Sequence, residues 1–234
     1  MPVREDAWLA ERLARQAFTV AADTPTAEVE EHIAAGTGLR FYQMRIRTDR
    51  VDDVRVFTEL GFYVVEATLV FGRMPEALPA EAEVVVGQAE HRDAVVEIGR
   101  TSFRYSRFHL DPAVPREVAD RIKGDWVASY FAGSRGDHIL VGLLDGRPAG
   151  FLAVLATEVE GRKLRTIDLV ATAPTAQGRG LARAMTARFL ADAAGTADEV
   201  IVGTQVSNIP ATRLYEAMGF RMERAEYALH LHAS

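Results

Sequence analysis

The stretch from Ile167 to Phe189, I-D-L-V-A-T-A-P-T-A-Q-G-R-G-L-A-R-A-M-T-A-R-F, has residue types and spacing suited to holding an anion. Ile167 to Ala171 is a short apolar run that reads as a buried strand. Pro174 punctuates it, and the turn Gln177-Gly178-Arg179-Gly180 follows. Leu181, Ala184, Met185 and Phe189 then recur at the spacing of one helix face. Glycines ahead of a helix let backbone approach a ligand closely. The free N–H groups of the first helical turn and the helix dipole then favour a negative group, with Arg179 adding a cation. Two better-known phosphate cradles are excluded. No Lys-Ser or Lys-Thr follows the glycines, so this is not a P-loop, and the glycine spacing fails the dinucleotide fingerprint.

A second segment carries an ionisable group at a defined place. After a strand-like run at 199–204 comes Asn208-Ile-Pro-Ala-Thr-Arg-Leu-Tyr215-Glu-Ala-Met-Gly219-Phe220, a helix stopped by Gly219. The turn Gln177-Gly178-Arg179-Gly180-Leu181-Ala182 resembles the Q/R-x-x-G-x-G/A pyrophosphate motif of the GCN5-related N-acetyltransferases. The second segment resembles that family's N-x-x-A-x-x-L-Y-x-x-x-G-F stretch, in the same order and at the right separation. The chain is therefore identified as a member of this GNAT superfamily.

The resemblance implies acetyl-CoA as donor and direct attack by an amine on the thioester. It implies a mixed, mostly antiparallel sheet with helices on both faces, split where two parallel strands diverge. It assigns the backbone of Leu169, Val170 and Ala171 to the pantetheine arm. Gln177, Gly178, Arg179, Gly180, Leu181 and Ala182 are assigned to the pyrophosphate, and Asn208 to the lower arm. Tyr215 is expected to be the general acid, since family members with a tyrosine here use it so. A phenol with an unperturbed pKa near ~10 suits a thiolate leaving beside it. The base is less defined. Asp168 enters the motif on a strand that alternation turns to either face, and Glu66 interrupts an apolar strand nearer the N-terminus.

The whole chain bounds these readings. Its 234 residues suffice for one large or two small domains, and 48% apolar with 26% charged residues describes a globular protein. A net charge of −6 argues against a nucleic-acid partner. With no cysteine there is no disulfide, no thiolate metal site and no Cys nucleophile. Six histidines include His230 and His232 on one strand face, which read as a solvated strand end; no metal is expected. No run is long enough for a membrane span, and acids stand where a signal peptide has its apolar core. No membrane partner and a cytoplasmic location are expected.

Taken in order, strand, helix and strand signals fall at 17–21, 26–35, 41–47, 51–60 and 63–71, with Thr26 as a helix cap and Gly36 and Gly61 as stops. Phe57-Thr-Glu-Leu-Gly61-Phe62 aligns with Tyr215-Glu-Ala-Met-Gly219-Phe220, and at that same offset 42–46 aligns with 200–204. This reads as an internal repeat whose first copy lacks the glycine turn and has Arg50 in place of Asn208. The fold class is thus α/β (α+β): residues 1–72 as a smaller, degenerate half-GNAT-like domain, 73–82 as linker and 83–234 as the catalytic GNAT domain. Within the latter, 84–86 reads as a strand, 93–98 as the start of a helix and 117–131 as an amphipathic helix. A hairpin turns at Asp145-Gly146. Residues 101–115 form an aromatic, arginine-bearing connection.

The acceptor is read from weaker signs. A small domain ahead of the acetyltransferase domain resembles the TDP-fucosamine N-acetyltransferase branch. So do G-F-x-x-V-E at Gly61–Glu66, S-R-F at Ser106–Phe108, and Tyr215. This implies a small-molecule amine acceptor on a nucleotide sugar of the TDP-4-amino-4,6-dideoxyhexose type. Arg104 or Arg107 would meet its diphosphate, and Phe103, Tyr105 or Phe108 would stack on its base. Peptide acceptors and small amines (antibiotic, polyamine) are the rivals. A non-catalytic CoA-binding module is disfavoured by the intact Tyr215 and glycine turn, and a homodimer is left open.

Overall fold

The structure, a computed structural model, describes residues 2–79 and 82–234. Ten strands of the described residues lie in one sheet: β1 (Val3–Glu5), β2 (Gln16–Val20), β3 (Arg40–Arg47), β4 (Tyr63–Arg73), β5 (Val84–Val86), β6 (His138–Leu144), β7 (Arg147–Val159), β8 (Arg162–Thr172), β9 (Glu199–Gln205) and β10 (Arg221–Ala233). Among the described residues eight α-helices flank it: α1 (Ala7–Leu13), α2 (Thr26–Ala35), α3 (Val51–Glu59), α4 (Arg92–Thr101), α5 (Arg107–Leu110), α6 (Arg116–Phe131), α7 (Leu181–Ala193) and α8 (Ile209–Ala217). The strand order is β1-β2-β3-β10-β4-β9-β8-β7-β6-β5. Among the described strands only β2–β3 and β8–β9 are parallel, each joined through a crossover helix as parallel pairing requires.

Two tight turns drive the hairpins on one side. Asp145-Gly146 and Glu160-Gly161 both have positive φ, the geometry whose twist matches antiparallel strands. The motif helix buries the expected stripe, Leu181, Ala184, Met185 and Phe189, against β6, β7 and β8. A second core on the same sheet face gathers Phe57, Phe62, Tyr42, Leu229 and Leu231 under α2 and α3. On the opposite face α4 and α6 cover Phe151, Val141 and Leu169, while α1, α5 and α6 cover Phe41 and Phe108.

The centre of the sheet is interleaved. β10 lies between β3 and β4, and β4 lies between β10 and β9. At the offset that lays Phe57 on Tyr215, α3 and α8 have matching ends. Phe57–Phe62 and Tyr215–Phe220 both meet edge-on with ring centres 5.6 Å apart. The register repeats as well: Arg47–Glu226 on one side corresponds to Gln205–Thr68 on the other. Thr68 pairs with Glu226, its own counterpart, so the two strand–helix–strand units are related by a local twofold through that pair. The parallel ladders also end alike, β2–β3 at Val20–Met44 and β8–β9 at Ile167–Val202.

Some local expectations change. Thr26 opens α2 as its first helical residue, with Pro25 in the cap position. The aromatic connection contains the helical turn α5, and the N-terminal β1 and α1 had no clear sequence signal. Of the expected linker 73–82, Arg73 still pairs with Val200 at the end of β4, residues 74–79 have no regular structure, and residues 80–81 lie outside the described residues. No helix among the described residues is long and apolar enough to cross a membrane.

Candidate active site

The parallel ladder between β8 and β9 runs from Leu164–Glu199 to Ile167–Val202 and then stops. Beyond it, the β9-facing edge of β8 has no strand partner among the described residues, while β9 continues along β4 to Gln205–Thr68. The gap opens at the carboxyl ends of two parallel strands, where open α/β sheets admit ligands. Leu169, Val170 and Ala171 line its β8 edge. The helices that follow the two strands, α7 and α8, both begin at this mouth.

At the start of α7, Gly178 and Gly180 take φ of 76° and 74°, and a Cβ on either would stand in open space. Gly180 caps the helix without a side-chain bond, so the first N–H groups of Leu181, Ala182 and Arg183 are left to face outward. Gln177 and Arg179 are exposed beside them. The turn fits a pyrophosphate, because donors, dipole and free space converge where no side chain intrudes. Across the mouth, Asn208 caps α8, its Oδ1 accepting from the Ala211 N–H at 3.4 Å. Its carboxamide nitrogen forms no hydrogen bond among the described residues.

Tyr215 sits on the second turn of α8, 1% exposed, between Phe71 and Phe220 with ring centres at 6.1 and 5.6 Å. Its hydroxyl has no hydrogen bond among the described residues, and burial raises the phenol well above its ordinary value. Tyr215 lies on the sheet face covered by α7 and α8.

The opposite face carries the charged groups. Strand β8 is bulged at the point of parting: Ile167 pairs with Val154 and Leu169 with Ala153, leaving Asp168 between them. A bulge re-aims a side chain, and here it turns Asp168 toward α6. Its Oδ2 accepts from Trp126 Nε1 (2.9 Å), Tyr130 OH (2.7 Å) and Arg135 Nε (2.8 Å), and its Oδ1 from Arg135 Nη2 (3.1 Å). Burial works to raise this carboxyl, but the Arg135 guanidinium and the two ring donors hold it below its ordinary value. An anion so fully bonded is a weak proton acceptor.

Glu66 on β4 is 6% exposed. Arg45 on β3 reaches it across the small Ala228 of β10, which pairs with both. Arg45 Nη2 is 3.2 Å from Oε1, and Thr68 Oγ1 also donates to Oε1 at 3.1 Å. The other oxygen, Oε2, is buried and has no partner among the described residues. A buried carboxylate oxygen left unbonded is costly and ready to accept a proton donor.

The expected acceptor residues separate. Arg107 enters this region with its Nε buried and unbonded; burial first, and Arg45 second, push it down to about 10. Arg104 is exposed and lines a shallow pocket with His109, Val114 and Arg116 on the surface. Phe108 is fully enclosed, its ring packed near Phe41 and His230, and no face is left for a nucleobase. It anchors α5, which His109 also pins by bridging Ser106 (2.7 Å) and Asp120 of α6 (2.9 Å).

His230 and His232 are not at a solvated strand end. Asp111 Oδ2 accepts from His230 Nδ1 (2.6 Å) and His232 Nε2 (2.9 Å), and its Oδ1 accepts from Tyr63 OH (2.7 Å). Arg15 Nη1 donates to His232 Nδ1 at 2.8 Å. This buried network ties β10 and β4 to the loop after α5. Burial pushes His230 down to about 4 despite Asp111, and Asp111, although buried, is held well below its ordinary value by both histidines and Tyr63.

Sequence reasoning missed the α6 wall of the cleft: Lys123, Trp126 and Tyr130, with Arg135 beyond. The signal was present, since Lys123 shares a buried stripe with Ala119, Val127 and Tyr130. A lysine there is out of place in a purely apolar helix face.

A sequence model described as "Acetyltransferase (GNAT) family" matches residues 94–220, more than half of the chain. The chain belongs to this family and has the GNAT fold. A curated relative, "Spore coat polysaccharide biosynthesis protein SpsD" of Bacillus subtilis (strain 168), is 31% identical over 140 residues. The match covers 59% of this chain and 47% of that protein, about half its length. Among solved structures, a functionally unknown conserved protein of Staphylococcus epidermidis superposes with a TM-score of 0.64 at 12% identity, covering 95% of this chain and 86% of that one. A GCN5-related N-acetyltransferase from Kribbella flavida gives 0.62 at 17% identity, covering 98% and 86%. These two likenesses are of fold.

Proposed function

We propose that the chain transfers an acetyl group from acetyl-CoA to the primary amine of an amino-sugar nucleotide, of the TDP-4-amino-4,6-dideoxyhexose type. The observation that carries this reading is the gap past Ile167–Val202, with an anion cradle and Tyr215 on one sheet face and Glu66 and Arg107 on the other. A donor threaded through the gap would meet an acceptor arriving from the opposite side. The relative named for polysaccharide biosynthesis supports a sugar acceptor.

In this mechanism acetyl-CoA supplies an activated acyl group and a sulfur leaving group. Gln177 to Ala182 bind its pyrophosphate, the free edge at Leu169 to Ala171 orients the pantetheine arm, and Asn208 steadies the lower arm through its unused carboxamide nitrogen. Glu66 accepts a proton from the incoming ammonium at its unbonded Oε2, releasing the neutral amine for attack. Tyr215 donates its hydroxyl proton to the departing sulfur. The burial that raises the phenol also raises a thiolate formed beside it, so the two stay matched. Asp168 holds Trp126 and Arg135 in place and acts through them.

Residues 1–72 are proposed to be a half-acetyltransferase unit without a cofactor site. In that copy Arg50 stands where Asn208 does, and its guanidinium bonds the Ala22 carbonyl at 3.2 Å, bridging the place where β2 and β3 part. Its contribution to catalysis is Glu66.

The test is acetyl-CoA-dependent thiol release against TDP-linked 4-amino and 3-amino sugars, free peptides and polyamines. Turnover on an amino-sugar nucleotide is expected. Turnover on peptides or polyamines alone would discard the nucleotide-sugar acceptor.

A further inference from the structure

Lys123 has no part in that mechanism, yet it is a lysine buried on the α6 wall of the cleft. It is 6% exposed, and among the described residues it has neither a hydrogen bond nor an ion pair. Its Nζ lies 4.9 Å from the ring centre of Phe103 and 4.7 Å from that of Trp126. Aromatic faces hold an ammonium in place without neutralising it.

Two further cations meet the same indole: Arg107 with Cζ at 5.8 Å and Arg135 at 4.4 Å. Asp168 neutralises Arg135, and Arg45 occupies Glu66. Arg45, Arg107, Lys123 and Arg135 thus face the two carboxylates Glu66 and Asp168. Neither Lys123 nor Arg107 has a counterion of its own, and the Arg107 Nε is a buried donor with nothing to receive it. A buried charge without a partner is expensive. Lys123 registers that cost, falling to about 7 through burial first and Arg107 second. An oxyanion seated between the two would relieve both and receive the orphaned N–H, and a guanidinium beside an ammonium suits phosphate oxygens.

We propose that Lys123 and Arg107, set against Trp126, form a subsite for a phosphate-class group carried by the amine acceptor. The inference rests on the amino-sugar-nucleotide reading and adds Lys123 as the second cation that would hold the acceptor's diphosphate. The subsite is separate from the glycine turn of α7, since α6 and α7 cover opposite faces of the sheet. The protein then has two anion sites, one for the donor and one for the acceptor.

The experiment titrates inorganic pyrophosphate into the full chain saturated with CoA, which fills the α7 turn, by calorimetry at low salt. One site is expected. Lys123→Met should weaken it at least tenfold, and Lys123→Arg should retain it within about threefold. Acetate at equal concentration should not compete. Without anion, Lys123→Met should melt at or above the wild-type temperature, because it removes a buried unpaired charge. Absence of a pyrophosphate site, equal affinity in Lys123→Met, competition by acetate, or a lowered melting temperature in that variant would each overturn the subsite. CoA binding is measured first. Its failure counts against the acetyltransferase mechanism, and the comparison of wild type with Lys123→Met then decides the subsite independently.

Discussion

Replacing Tyr215 by phenylalanine separates stability from catalysis, because the hydroxyl does nothing visible for the resting fold. The ring carries the packing against Phe71 and Phe220, and phenylalanine keeps it. The hydroxyl has no partner among the described residues, so removing it breaks no hydrogen bond of the fold. Tyr215→Phe should therefore unfold at the same urea concentration as the wild type, with unchanged slope. A positioned general acid contributes about 10²–10⁴ in rate, or roughly 3–5 kcal/mol at 1.36 kcal/mol per tenfold. Single-turnover acetyl transfer should fall by that factor while acetyl-CoA affinity changes by less than about threefold. Because burial raises the phenol, the wild-type rate should not decline on the alkaline side below about pH 10 through this group. The reasoning is refuted if the variant loses more than about 1 kcal/mol of stability, which would reveal a structural hydroxyl bond. Equal losses of CoA affinity and rate would instead make Tyr215 a binding contact.

Further outcomes follow from the same geometry. Gly180→Val should weaken CoA binding at least about 100-fold by equilibrium titration, because its side chain fills the cradle and a β-branched residue is strained at this positive φ. Glu66→Gln should keep the fold and CoA affinity but lower kcat; an unchanged kcat would remove Glu66 as the base. Asp168→Asn breaks a buried ion pair whose arginine is more than a third exposed, so urea unfolding should show a loss of about 2–3 kcal/mol, below the figure for a fully buried pair. His230 is held at about 4 when folded and returns to near 6.5 when unfolded, so between those values the unfolded chain binds more protons. Its contribution is complete above about pH 6.5 and is lost as pH falls toward 4, on the order of 1–3 kcal/mol. His230→Gln should flatten that slope in denaturation measured across the window.

Much of the fold was legible because its signals are local. The stripe Leu181, Ala184, Met185, Phe189 and the turn at Asp145-Gly146 each depend on a few neighbouring residues, and both stand where periodicity and turn chemistry put them. The direction of Asp168 was illegible, because strand alternation cannot reveal a bulge, and the bulge decides which face the carboxylate meets. His230 and His232 were misread for a related reason. Their strand looks terminal in sequence, but β3 and β4 arrive on either side of it from the first seventy residues and bury it. Arg45 and Glu66 meet only because β10 places the small Ala228 between them. Lys123 was missed in the sequence, because the meaning of a lysine on the buried stripe of α6 depends on Arg107, which comes from another element.

The most direct test of the account is to incubate the protein with acetyl-CoA and a TDP-4-amino-4,6-dideoxyhexose and identify the product by NMR. The account predicts one acetyl group on the sugar amine for each CoA released, with the nucleotide diphosphate intact. Binding of acetyl-CoA without transfer to that amine, or transfer confined to a peptide or polyamine offered in its place, would contradict it.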